Sequence, residues 1–123
     1  NFRSTWFSSG GYEPVAKTLF GHCRVDGFFL EYDSDRAGDF TPLRYIKDQK
    51  VVLGLITSKS GDLEDKGEVI ARIKEASQYV PLEQLCLSPQ CGFSSTEEGN
   101  ILTIEAQWDK LKLIDEIVHE VWG

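Results

Sequence analysis

Three side chains able to do chemistry stand where apolar runs of the sequence end. Glu31 closes the run 27–31 (GFFLE), Lys59 follows the run 51–57 (VVLGLIT), and Cys91 lies beyond the run 85–87, after Pro89 and before Gly92. A carboxylate and a thiol that converge form a mixed oxygen and sulfur donor set, which suits a divalent metal and zinc before others. Cys91 contrasts with Cys86, which lies inside its run and is expected to stay in the buried strand, because a free thiol packs as a small hydrophobe. Plainer readings stay open: Glu31 as a solvated strand end paired with Arg24, Arg36 or Lys59, and Cys91 as a half-buried packing thiol. No C-x-x-C pair accompanies them, so spacing alone does not specify a metal.

The elements that must position these groups follow from periodicity. The three runs lack polar alternation, the pattern of parallel strands covered on both faces. Tyr12, Val15, Ala16 and Leu19 are spaced for one helical face, with Pro14 early in the segment. Asp65 to Glu68 reads as a capping box opening a helix with Val69, Ile70, Ile73, Ala76 and Val80 on one face, stopped by Pro81. Thr103 caps a last helix whose stripe is Ile104, Trp108, Leu111, Ile114, Ile117, Val118 and Val121. A short helix is expected near 42–46.

The resulting alternation predicts an α/β fold with a parallel sheet. Three parallel strands are few for an independent sheet, and suit a part of a (β/α) barrel, whose usual size is about 250 residues. Reactive groups in such folds gather beyond the carboxyl ends of the strands, so Glu31, Lys59 and Cys91 should face one mouth. His22 and Cys23 should fall on the opposite rim, as a surface histidine and a packed thiol, and His119 should be structural at the end of the last helix. Trp6, Phe7, Phe28, Phe29 and Tyr32 are expected in the core, with Trp6 and Phe7 in a loop before Gly10 and Gly11. Neither a G-x-G-x-x-G fingerprint nor a P-loop is present.

A length of 123 residues fits one domain, and the absence of Met together with the start at Asn1 suggests processing or a fragment. No apolar run approaches the roughly 20 residues of a membrane span, so no membrane is expected. Twenty acidic residues against 13 scattered basic ones give a net charge of -7, which disfavours nucleic acid. Three cysteines are an odd number for a disulfide framework, which points to a reducing compartment, the cytoplasm.

The segments DGFFLEYDSDRAGDF, VVLGLITSKSGDLEDKGEVIARIKEASQYVP and EQLCLSPQCGF resemble the closing portion of the catalytic barrel of cobalamin-independent methionine synthases, above all their short single-barrel relatives. The resemblance covers nearly the whole chain. It implies that residues 1–123 are the C-terminal portion of a TIM (β/α)8 barrel. It also implies zinc, bound through Glu31 and Cys91 and through a His-x-Cys pair in the remainder of the barrel upstream of Asn1. The implied reaction moves a methyl group to the thiol of homocysteine, with 5-methyltetrahydrofolate as the default donor. Where the long enzymes carry a histidine that protonates the leaving nitrogen, this chain has Lys59, a poorer acid at neutral pH, which leaves the donor more open than the acceptor. Two other readings remain: a non-catalytic acidic α/β interaction module, and a uroporphyrinogen decarboxylase-like barrel enzyme, whose chemistry does not call for Cys91.

Overall fold

Among the described residues, side-chain caps open two of the three α-helices. The computed structural model describes residues 4–5 and 8–123, so the expectations for Trp6 and Phe7 lie outside the described residues. Helix α1, Glu13–His22, has Pro in its first turn, where a missing N–H is harmless, and buries Ala16 and Phe20. Val15, expected on that face, is 53% exposed. In α2, Lys66–Ala76, Asp65 accepts the Glu68 N–H at 2.9 Å, and Val69, Ile70, Ile73 and Ala76 are buried. This helix stops at Ala76, ahead of Pro81. Ser77 Oγ donates to the Lys74 carbonyl at 2.7 Å, a local bond that competes with helix continuation, and Val80 is buried in the turn beyond. Helix α3, Ile104–Trp122, is capped by Thr103, which accepts the Ala106 N–H at 3.1 Å. The short helix expected near Pro42 is a 3-10 helix, Thr41–Tyr45.

Strands β1 (Gly27–Glu31), β2 (Lys50–Ile56) and β3 (Leu85–Pro89) form a parallel sheet in the order β1-β2-β3. The α/β alternation with parallel strands is as expected. Phe28, Val51 and Leu85 lie in one register row, Leu30, Leu53 and Leu87 in the next. With alternate residues on opposite faces, this side packs with Ala16 and Phe20 of α1, Ile70 and Ile73 of α2, and Ile117 of α3 in one core.

The other face departs from expectation. It carries the rows Phe29, Val52, Cys86 and Glu31, Gly54, Ser88. Phe29 is 82% exposed, and Val52 and Cys86 are half-buried. Among the described residues the helices cover one face of the sheet, so the strands are not enclosed on both sides. Phe29 is therefore outside the core, and Cys86 faces the open side instead of being buried. Phe28 and Tyr32 are buried as expected.

Helix α3 holds a further surprise. Ile104 and Trp108 of the apolar stripe are 72% and 57% exposed, while Lys110 is fully buried. The helix rests on the core through Ile117 and its later turns, and meets the loop after β2 through Lys110.

Candidate functional site

Strands β1 and β3 flank β2, and their carboxyl ends bring Glu31 and Cys91 together. Glu31 is paired in register with Gly54, and Cys91 follows two residues after β3. Cys91 Sγ lies 3.5 Å from Glu31 Oε1. The other carboxylate oxygen, Oε2, accepts from Arg36 Nη2, so Arg36 is the partner found among the three cations considered for Glu31. Arg36 stands on a 3-10 turn, Asp35–Ala37, and also donates to the Ser8 carbonyl at 3.1 Å. Tyr12 OH accepts the Glu31 backbone N–H at 3.0 Å, and its ring packs 5.4 Å from Tyr32 and 5.8 Å from Phe20. The backbone under the carboxylate is thereby fixed to the start of α1.

Burial on its own would push the Glu31 carboxyl up. Polar neighbours prevail: Gln90, then the Arg36 guanidinium, then Cys91, hold it below the ordinary glutamate range. A tetrahedral zinc with bonds of ~2.1 Å to oxygen and ~2.3 Å to sulfur separates those two ligands by roughly 3.6 Å. The observed 3.5 Å between Sγ and Oε1 fits such a pair. These are two donors of four. Among the described residues no group of three or more His, Cys, Asp or Glu side chains is arranged to hold a metal.

Two residues that sequence reasoning missed complete this rim. Gln90 is buried, and its backbone N–H donates to the Ile56 carbonyl at 2.7 Å where the β2–β3 register shifts. A Cβ on Gly54 would fall 2.9 Å from the Leu30 carbonyl oxygen and 3.1 Å from Gln90 Cα. Only glycine lets the chain after β3 cross so close above β2. A glycine inside an otherwise apolar strand was the available signal, since it often marks a close backbone approach.

Lys59, the third strand-end group, reaches the same place from the loop after β2. Its Nζ donates to Gln90 Oε1 at 2.6 Å and to Ser58 Oγ at 3.3 Å, and Ser58 Oγ donates to Gln90 Oε1 at 3.2 Å. Lys59 and Ser58 are both buried.

The loop carrying them is clamped from behind. Lys110 Nζ donates to both oxygens of Glu64, at 3.0 and 3.1 Å, and to the Asp62 carbonyl at 2.6 Å. Glu64 Oε1 in turn accepts the Thr57 N–H at 2.8 Å. Helix α3 thus fixes the chain on either side of Lys59.

The other candidates stay apart. His22 and Cys23 line a depression with Asp26, Lys47, Asp48 and Gln49 at the amino ends of β1 and β2, the opposite rim as expected, but Cys23 is exposed and not packed. His119 is exposed on α3, with Nδ1 2.8 Å from the Asp115 carbonyl oxygen.

With this geometry in place, comparison with known proteins bears on the site. No family model matches the chain. Two Bacillus subtilis (strain 168) proteins of uncharacterized function, YxjH and YxjG, are each 59% identical over 124 residues, which covers 99% of this chain. The chain spans 33% of the length of each. Among solved structures, it is similar to a putative vitamin-B12 independent methionine synthase from Listeria monocytogenes, at 52% identity and a TM-score of 0.74. The match covers 93% of this chain and 33% of that one. The likeness is to a putative methionine synthase. A second such enzyme, from Shewanella sp. W3-18-1 in complex with selenomethionine, has a TM-score of 0.71 over 89% of this chain and 30% of its own. At 23% identity it speaks for the fold alone.

Proposed function

We propose that the chain is the C-terminal portion of a methionine synthase-like catalytic barrel, residues 1–123, and that Glu31 and Cys91 are two of its zinc ligands. The observation that carries this reading is their meeting at adjacent strand ends with a ligand-like separation of 3.5 Å. The likeness to a third of the Listeria protein supports it. On this reading the remainder of the barrel covers the open face around Phe29 and supplies the two missing donors. The substrates are homocysteine and a methyl donor such as 5-methyltetrahydrofolate, and the reaction is methyl transfer from nitrogen to sulfur in the cytoplasm. Among the described residues, no helix is long and apolar enough to cross a membrane.

Bound zinc would supply a thiolate nucleophile from a thiol that is mostly protonated at neutral pH. The residues of this chain do the rest. Arg36 and Gln90 keep Glu31 ionised and oriented, while Tyr12 holds its backbone. As a thiolate ligand, Cys91 would add negative charge that keeps the acceptor sulfur electron-rich. The sulfur forms its bond to the methyl carbon as the carbon–nitrogen bond breaks, and the leaving nitrogen takes a proton. For Lys59 to give that proton, Nζ must leave Gln90 and Ser58.

The test is metal content and methyl transfer by the full-length protein. About one zinc per chain, removed by chelator together with activity, is the expected result. A full-length protein with no bound metal that transfers methyl groups undiminished would overturn the reading.

A further inference from the structure

Gln90 helps keep the Glu31 carboxyl in its charged form from a closely constrained place on this rim, and its own partners say how. A lysine ammonium has donors and no acceptor, so the 2.6 Å contact with Lys59 Nζ fixes which end of the amide is Oε1. Ser58 Oγ, 3.2 Å from the same oxygen, reinforces that choice. The amide nitrogen must then point away from Lys59. It is buried and makes no hydrogen bond of full geometry among the described residues, while the Glu31 carboxylate is close enough to be kept charged by it. Gln90 passes directly over Gly54, the register partner of Glu31, and is followed at once by Cys91, which touches the Glu31 carboxylate. Lys59, for its part, has no carboxylate within ion-pair distance among the described residues, so its charge serves the neutral oxygens of Gln90 and Ser58.

We propose that Gln90 is a positioning residue, clamped at its carbonyl by Lys59 and Ser58 so that its N–H group aims at the Glu31 carboxylate and sets that side chain beside Cys91. This rests on reading Glu31 and Cys91 as metal ligands. Lys59 therefore acts on the metal site at one remove, through an amide, and the leftover donor is available to Glu31 whether the carboxylate sits on or off the metal. The amide nitrogen, with no acceptor competing against Glu31 among the described residues, is what this role requires: a donor held ready.

The experiment uses the full-length protein and three variants, Gln90→Met, Lys59→Met and the double variant, with two measurements. Zinc affinity is read by competition with a chromophoric chelator. Removing a hydrogen bond to a metal-ligating carboxylate lowers affinity by roughly 10- to 100-fold. Each single variant should show a loss of that order, and the double variant no more than the larger single loss, because both remove one clamp. Hydrogen exchange of the Gln90 side-chain amide in metal-free protein gives the second reading. Protection should fall at least about tenfold in Lys59→Met, since the carbonyl is then no longer held. Unchanged zinc affinity in Gln90→Met, or losses that multiply in the double variant, would overturn the proposal. So would unchanged exchange in Lys59→Met. If the wild-type protein itself holds no zinc, the metal-site reading fails, and the exchange measurement still decides whether Lys59 clamps Gln90.

Discussion

The two rims of the sheet carry similar chemical types and use them differently. At the amino ends of the strands, His22, Cys23, Asp26, Lys47 and Asp48 surround a shallow depression without converging on one another. At the carboxyl ends, two contact sets, Arg36–Glu31–Cys91 and Lys59–Ser58–Gln90, are joined by the peptide bond between Gln90 and Cys91. Composition does not separate the rims; the direction of the strands does. Parallel strands deliver consecutive loop residues to one end, where short excursions bring β1, β2 and β3 termini within bonding range. A cysteine beside a histidine in sequence is a weaker signal than a cysteine and a glutamate 60 residues apart that share a strand-end position.

The largest difference should appear when the cysteines are exchanged. In the full-length protein, Cys91→Ser should abolish zinc retention under chelator challenge, while Cys23→Ser should leave metal content unchanged. Elemental analysis of both purified variants checks this, and equal zinc in Cys91→Ser and wild type would put the two rims on the same footing.

Next in size is the clamp behind the carboxyl-end rim. Lys110→Met leaves the Glu64 carboxylate without its buried cation and should destabilise by about 3 kcal/mol, the scale for breaking a buried pair. Lys112→Met, one turn-edge away and exposed, should not shift the urea midpoint measurably. Similar midpoints for both variants would show that the clamp is ornamental to the fold.

A smaller contrast lies in two glycines. Gly54→Ala forces a methyl against two backbone atoms and should cost about 1–3 kcal/mol. Gly21→Ala, at the opposite rim, meets nothing within 4 Å and lies in α1, so it should be neutral or stabilise by up to about 1 kcal/mol. Thermal melts of the two variants read the difference directly.

The least effect belongs to an exposed ion pair. Arg44 holds the Glu13 carboxyl below its ordinary value, chiefly through their hydrogen bond. A depressed carboxylate stabilises the fold above its unfolded pKa, near 4.3, and that contribution is lost as pH falls through the lower folded value. Glu13→Gln should therefore narrow its stability gap to wild type below pH 4, and added salt should shrink the gap at neutral pH. A gap that persists unchanged in acid would assign it to packing instead of charge.

The strands, the two capped helices and the meeting of Glu31 and Cys91 at one rim were legible because each rests on local pattern: apolar runs, Asp65 and Thr103 before helical periodicity, and polar residues just past strand ends. Lys110 was not, since lysine in an amphipathic helix reads as solvent-facing and its burial depends on Glu64, 46 residues away. Phe29 was misplaced because an unbroken apolar run cannot tell which strand face the helices will take. Gln90 escaped notice for a related reason. A neutral amide has no distinctive pattern, and its part is assigned by Gly54 and Lys59, both distant in sequence.

The strand order β1-β2-β3, identical to the order along the chain, also has a consequence in time. Each pairing closes one short excursion, and closure entropy grows only slowly with loop length, so this unit can assemble before contacts that span a whole barrel. Until such contacts form, Phe29 remains in water on the open sheet face, beside Val52 and Cys86. If a longer barrel completes this unit, as proposed, its refolding would pass through a species whose amides in β2 are protected early and whose open face is sticky. Its yield should fall with protein concentration, a dependence set by the uncovered side of the sheet and not by the chemistry at its rim.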